Sequence, residues 1–451
     1  MIRRLKTAVD ALAALMLGAG LVVVLAALAL VPRWRRRTWS TDRPRRLLCL
    51  VAISLTDVHA KGILPQVLQR DLDGYFDEVI SVHFPSDRSQ RVTLAARHVV
   101  WEFSGYFAQG LADFPYLSML LSEIRALGAL TRYLRHNPAM VIKAQDPYLH
   151  GLNGFVLSRL TGTPFVTLIV SNYDLSYRSA RLLAYPQLKF RWLHSAISRF
   201  VFSQTDLVQA MSDNNRAFAM SHGANASIAV TVRSGAAPAA AHFEPLANRT
   251  NVKSELQLSG KKMVLFVGRL SPEKYPIDVV ECAEIVIRAR PDTVFVFAGD
   301  GPLRPQIDEL IAAKQLGESV KILGFVSQPR IMDLCYSADA VVAPLSGISL
   351  IEAALSGAPV VAYDVEWHSE LIRNHQTGML VPYRDVNKMA DAVEWILAHP
   401  AEARAMGVAG RELALAQHRP EQVLREEVAS YQRLLVAHGS TPTRNVSCGF
   451  W

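Results

Sequence analysis

The chain has 451 residues, half of them hydrophobic, which allows two ordinary domains with their own cores. Its four cysteines are widely separated and include no CxxC pair, so neither a disulfide framework nor a zinc site is indicated, and a reducing compartment fits. The formal net charge of +8 has the size of a nucleic-acid signal, but not its distribution. Residues 1–46 hold ten Lys/Arg against Asp10 and Asp42, which accounts for the whole excess. Nucleic-acid binders spread basic charge over a folded face. Here it flanks a hydrophobic segment, so the partner implied is a membrane and not a nucleic acid.

That segment, Ala11–Val31, is 21 residues without a formal charge, long enough for one helical crossing of a bilayer. A cleaved signal peptide is the competing reading; its basic cluster would precede the apolar run. Three basic residues precede the span and seven follow it within Arg33–Arg46, which orients the rest of the chain to the cytoplasm. Trp34 and Trp39 add aromatic side chains suited to the head-group level. The expectation is a single-pass anchor (residues 1–46) in an inner or plasma membrane.

From residue 47 the pattern becomes α/β. The readings are a buried strand Leu47–Ile53, a loop Ser54–Gly62, a helix Ile63–Tyr75, and strands Glu78–His83 and His98–Trp101. A helix over Ser118–Arg135 follows, then the strand Met140–Ala144, the turn Gln145-Asp146-Pro147 and a helix His150–Leu160. Strand Phe165–Val170, a polar loop Ser171–Ser179, a basic-aromatic helix Leu188–Phe200 and strand Leu207–Ala210 complete a first domain over 47–240. His59, Gly62, Gln145 and Asp146 fall where its strands end, the place where such sheets bind ligands, and Asp146 is the candidate catalytic residue among them. His150 reads equally as a cap or a catalytic group. Asp71-Leu-Asp73 has the spelling of a metal motif but falls on a helix end, and no metal site is expected there.

Ser234–Thr250, rich in Ala and Pro, reads as the linker. The second domain, 251–415, opens with Val264-Leu-Phe-Val-Gly-Arg-Leu-Ser-Pro-Glu-Lys274: a strand, a glycine turn at Gly268, the cations Arg269 and Lys274, and a helix over Asp278–Arg288. Amides, a helix dipole and fixed positive side chains together suit a diphosphate. Val294-Phe-Val-Phe-Ala-Gly-Asp-Gly-Pro302 repeats the pattern with Gly299 and Gly301, followed by strands Val320–Val326, Ala340–Pro344 and Pro359–Asp364. Short apolar strands alternating with helices read as a parallel sheet. In Ser346-Gly-Ile-Ser-Leu-Ile-Glu352 a helix starts at Gly347. The amides of Gly347, Ile348, Ser349 and Leu350 can take a phosphate, and Glu352 can accept from ribose hydroxyls. Taken as structure alone, Glu352 is a first-turn acid favoured by the dipole. An amphipathic helix Glu421–Ala437 and a tail from His438 fill 416–451.

Gly-Arg-Leu-Ser-Pro-Glu-Lys (268–274), Phe-Ala-Gly-Asp-Gly-Pro (297–302), Leu-Gly-Phe-Val (323–326) and Gly-Ile-Ser-Leu-Ile-Glu (347–352) together resemble the C-terminal domain of retaining GT-B glycosyltransferases. The particular group contains sucrose-phosphate synthases and bacterial polysaccharide mannosyltransferases. The resemblance implies two Rossmann-like domains facing a central cleft, the first for the acceptor and the second for the nucleotide-sugar. It implies that Arg269 and Lys274 grip the donor diphosphate, that Glu352 holds the ribose, and that Gly62, Gly268, Gly299, Gly301, Phe325, Val326 and Gly347–Leu350 line the nucleotide-sugar. The resemblance also implies that the last helix recrosses to the first domain. No metal or cofactor is implied beyond the nucleotide diphosphate-sugar substrate; the acceptor would be a lipid-linked molecule or glycan. The family usually has a second glutamate eight positions before the first-named one, near the sugar. Here that position is Pro344, and Asp364 and Glu366 are the alternative acids. A nucleotide-sugar epimerase and a non-catalytic donor-binding or scaffold protein are the rival readings.

Overall fold

The computed structural model describes residues 43–60, 63–105, 113–180, 183, 185, 191–233, 240–345 and 347–439. The expected membrane span at Ala11–Val31 lies outside them, as do Gly62, Ser346 and Cys448. Among the described residues no helix is long and apolar enough to cross a membrane. They fall into two compact units. One comprises the residues up to Ser176, Leu182–Val232 and those from Leu424 on; the other is Tyr177–Arg181 with Arg233–Val423.

The first unit is an eight-stranded sheet ordered β3-β4-β2-β1-β5-β6-β7-β8. Its strands are β1 (Arg46–Val51), β2 (Glu78–Ser86), β3 (Gln90–Ala95), β4 (His98–Ser104), β5 (Val141–Ala144), β6 (Phe165–Ile169), β7 (Leu207–Ala210) and β8 (Ala229–Thr231). All neighbours pair in parallel except β3 with β4. Successive side chains point to opposite faces, and both faces are covered, so the central strands are apolar throughout. Leu48, Leu50, Ile80 and Val82 face one side. Leu47, Cys49, Val51 and Val79 face the other, where Tyr431, Leu434 and Leu435 of the last helix, Pro420–Ala437, pack on them.

That helix is fixed to the first unit by polar groups as well. Lys143 on β5 meets Glu427 at 2.8 Å, both nearly buried, and Gln209 on β7 donates to Ser430 Oγ at 2.8 Å. Burial opposes the Lys143 ammonium, but Glu427 outweighs it and raises its pKa. His438, expected to open a loose tail, is buried with Nε2 3.4 Å from Asp206 Oδ1.

Several expectations are corrected. Ser54–Gly62 is not a loop: Leu55–Ala60 is helical, because Ser54 Oγ accepts from the Asp57 amide at 3.0 Å and Glu102 accepts from the Leu55 amide at 2.8 Å. The helix expected at Ile63–Tyr75 is instead Leu64–Leu68 with a 3-10 turn Gln69–Asp71, and the left-handed Leu72 and Asp73 end it. Ser171–Ser179 is not a loop either; Tyr173–Ala180 is a helix entered through Asn172, whose Oδ1 accepts from the Leu175 amide. The polar edge strand β3, the short β8 and the helix Asp213–Ser221 lack a long apolar run and were unforeseen.

The second unit is a six-stranded, wholly parallel sheet ordered β11-β10-β9-β12-β13-β14. Its strands are β9 (Lys262–Val267), β10 (Thr293–Ala298), β11 (Val320–Gly324), β12 (Ala340–Val342), β13 (Val360–Tyr363) and the unexpected β14 (Met379–Val381). Alternation again splits β9: Val264 and Phe266 enter one apolar layer, Met263, Leu265 and Val267 the other. Because every strand runs the same way, all the carboxyl-terminal ends emerge at one edge.

Candidate functional site

Within the second unit, the loops leaving β9, β10, β11, β12 and β13 share that edge. From β9 come Gly268 and Arg269, then a 3-10 turn Pro272–Lys274 and the helix Pro276–Ala289. The Lys274 amide donates to Ser271 O at 2.9 Å, and the left-handed Tyr275 (φ 53°) turns the chain into the helix. Arg269 is exposed and Lys274 half-buried. Burial pushes the Lys274 pKa down, while the carboxylates of Glu273 and Glu366 oppose that and Arg269 adds to it. Arg269 and the acids Glu273 and Glu366, from the β9 and β13 loops, thus lie within electrostatic reach of Lys274.

The turn carrying Lys274 is held by a tyrosine cluster that no motif announced. Tyr275, Tyr363 at the end of β13 and Tyr383 pack edge to face with centroids 5.7–6.0 Å apart. Tyr275 OH and Tyr383 OH are 2.5 Å apart, and Tyr363 OH donates to Asp278 Oδ2 at 2.7 Å. Arg384 approaches Asp278 at 3.4 Å and lies over the Tyr275 ring. Buried aromatic rings with satisfied hydroxyls make a stiff support.

From β10 comes Gly299-Asp-Gly301. A side-chain carbon at Gly299 would lie 1.9 Å from Gly268 O, and one at Gly301 2.5 Å from Leu270 O. The two loops run backbone against backbone, with Leu270 N donating to Asp300 O at 3.0 Å. Packing alone therefore demands both glycines. After β11, Phe325 is 90% exposed, whereas Val326 packs into the apolar layer. Phe325 offers a bare ring at the strand end; Val326 offers only its backbone.

After β12, Gly347 is the N-cap of the helix Ile348–Leu355. Leu350 is fully buried and its amide already donates to Gly347 O at 3.2 Å, so of the four expected anion donors Leu350 is committed to the helix itself. Glu352 lies in the second turn, 3% exposed, and burial pushes its pKa up to about 7. It is a core carboxyl past the first turn, not a first-turn acid favoured by the dipole. His242 Nε2 stands 3.5 Å from its Oε1. His242 belongs to the segment expected to be an aperiodic linker, of which Ala240–Phe243 and Leu246–Asn248 form 3-10 turns. Pro344, two residues beyond β12, supplies no carboxylate. Beyond β13, Asp364 is exposed and Glu366 is left-handed (φ 48°), a conformation sparsely populated by such residues.

In the first unit, Asp146 follows β5. Its Oδ1 accepts from the Tyr148 amide at 2.7 Å, and its Oδ2 meets His150 Nδ1 at 2.5 Å and Tyr185 OH at 2.8 Å. His150 Nε2 reaches Phe84 O at 3.0 Å. Burial opposes both charges, but the pair prevails: Asp146 is held below the usual carboxylate range and the His150 pKa is raised. The cluster is a buried ion pair that fixes the turn beside Gln145. His59 is exposed on the last turn of its helix.

Residues 248–413 match the family model described as Glycosyl transferases group 1. Over 158 residues the chain is 37% identical to the alpha-D-kanosaminyltransferase of Streptomyces kanamyceticus, covering 34% of this chain and 41% of that protein. Over 171 residues it is 30% identical to the 2-deoxystreptamine N-acetyl-D-glucosaminyltransferase of Niallia circulans, covering 37% and 44%. The matched stretch thus spans less than half the length of these two relatives. A longer match, 25% identical over 323 residues, joins 69% of this chain to 81% of the 2-deoxystreptamine glucosyltransferase of S. kanamyceticus. Among solved structures, the sucrose-phosphate synthase of Thermosynechococcus elongatus superposes with a TM-score of 0.68 at 19% identity, covering 87% of this chain and all of that one. The Anabaena protein HepE in complex with UDP gives 0.64 at 15% identity, covering 86% and 99%. The fold is GT-B-like, with two sheet units, and the second unit carries the group 1 glycosyltransferase signature.

Proposed function

We propose that this protein is a glycosyltransferase that moves a sugar from a nucleotide diphosphate-sugar to an acceptor hydroxyl with retention, in polysaccharide or glycolipid synthesis. The observation that carries the reading is the juxtaposition of Arg269 and Lys274, on the β9 loop, with the start of the helix at Gly347 on the adjacent β12. Fixed cations beside a helix N-terminus suit a diphosphate leaving group, since they stabilise the charge that develops as the glycosidic bond loosens. The acceptor hydroxyl attacks from the leaving-group side, so no strong nucleophile and no cofactor are required. Phe325 stacks on the base, and Glu352 accepts from the ribose. The relatives solved with UDP or UDP-glucose favour a uridine nucleotide. Asp146 serves by fixing the acceptor-side turn, its oxygens being occupied. The Ala11–Val31 segment anchors the enzyme in the membrane, with its catalytic units in the cytoplasm and a lipid-linked or glycan acceptor within reach.

Acceptor-dependent release of nucleoside diphosphate tests the reading and excludes an epimerase, which releases none. Lys274→Ala is expected to lower turnover by about 10²–10³-fold, the loss typical of one preorganised donor to a developing negative charge. Near-normal turnover in that variant removes the β9 loop from the site.

A further inference from the structure

The segment that opens the second unit delivers a residue to the site that no motif marks. His242 is 0% exposed and faces Glu352, the sole acid of the Ile348–Leu355 helix, at 3.5 Å. Its backbone is held in place. Arg411, on the helix Pro400–His418, donates to the carbonyl oxygens of Leu355, of His242 at 3.5 Å and of Glu244 at 2.7 Å. Phe243 packs into the apolar layer beneath. An irregular segment would ordinarily run over the surface; this one is tied down around a histidine.

Among the described residues, the other groups around Glu352 do not replace that partner. The helix Gln328–Ser337 presents Cys335, a buried thiol whose pKa burial and then Glu352 push up. Arg411 is committed to carbonyl oxygens. On this side β13 contributes only the apolar Val360 and Ala362. A carboxylic acid taken out of water drifts towards its neutral form, which has one acceptor fewer and a proton of its own. A protonated imidazole alongside favours the charged form, which accepts from two hydroxyls at once.

We propose that His242 is a positioning residue for Glu352, keeping the carboxylate ionised and oriented for the vicinal hydroxyls of the nucleoside. The inference rests on the reading of Glu352 as the ribose contact. It makes nucleotide affinity depend on pH through a histidine that never touches the ligand.

The test is calorimetric titration of UDP, GDP and ADP into wild type, His242→Asn, His242→Gln and Glu352→Gln between pH 6 and pH 9. For whichever nucleotide binds, the wild-type affinity is expected to be full by pH 9 and to fall with a midpoint near pH 7, where burial places the Glu352 pKa. In both His242 variants the midpoint of that fall moves above pH 7. A midpoint near pH 8 corresponds to about ten-fold weaker binding at pH 7, with recovery by pH 9. Having two His242 variants leaves the test intact if one folds poorly. Glu352→Gln is weak at every pH. Wild-type affinity in the His242 variants at pH 7, or a loss equal at all pH values, overturns the His242 proposal while leaving Glu352 in place. Nucleotide affinity unchanged in Glu352→Gln, or no binding by wild type, removes the underlying reading and the proposal with it.

Discussion

Asp146 illustrates how far residue types alone can be read. Its place after an apolar strand marked it as a site residue, and the neighbouring His150 was open between cap and catalyst. What the sequence could not display is that Tyr185, 35 positions beyond His150, closes the cluster at 2.7 Å. The result is a buried pair with a signed pH dependence. His150 has a folded pKa above its ordinary 6.5, so its contribution is complete below 6.5 and lost as pH rises through the folded value. Asp146 lies below its ordinary 3.8, so its contribution is present above 3.8 and lost as pH falls through the folded value. The pair is therefore worth most between those two ordinary values. Compared with wild type, His150→Gln should be about 1–3 kcal/mol less stable at pH 6, and the gap should narrow towards pH 9. Thermal unfolding at both pH values checks this; an equal gap at each contradicts the ion pair. His242 shows the opposite limit. A histidine in an Ala/Pro-rich stretch carries no periodicity or spacing, and only the folded chain sets it against Glu352.

Among elements, the strands were legible wherever both sheet faces are covered, because Met263–Val267 and Val294–Ala298 then read as unbroken apolar runs. β3, with alternating exposure on a sheet edge, offered no such run. The helices Leu55–Ala60 and Tyr173–Ala180 were read as loops because capping by Ser54, Glu102 and Asn172 depends on side chains that meet only in the fold. The glycine turns were visible, but their packing role was not. Gly299 was matched to the donor site; the structure adds a steric necessity, because Gly268 O occupies the space a side chain needs. Gly299→Ala should separate the β9 and β10 loops and destabilise the second unit by about 1–3 kcal/mol or more. Chemical denaturation measures this, and a variant of unchanged midpoint would mean that the loops are not in backbone contact. The Tyr275–Tyr363–Tyr383 cluster, drawn from three segments, was likewise invisible, although it stiffens the turn that presents Lys274.

For the molecule as a whole, the returning helix was legible as an amphipathic run and its destination was implied by resemblance; the Lys143–Glu427 pair that fixes it was not. The basic N-terminal segment argues for attachment to a membrane. Removing residues 1–46 should release the protein to the soluble fraction with nucleotide binding intact, as cell fractionation would show; retention on membranes without detergent places the attachment elsewhere. On the proposed function, the second unit binds a nucleotide diphosphate-sugar through the β9 loop. Thermal shift against a panel of nucleoside diphosphates and their sugars tests it most directly, because a bound ligand stabilises only the folded state. One base should raise the unfolding temperature of wild type, both as free diphosphate and as sugar conjugate, and Lys274→Ala should lose most of that shift. No shift with any nucleotide at millimolar concentration, or an undiminished shift in Lys274→Ala, would mean that the β9 loop does not hold a nucleotide diphosphate.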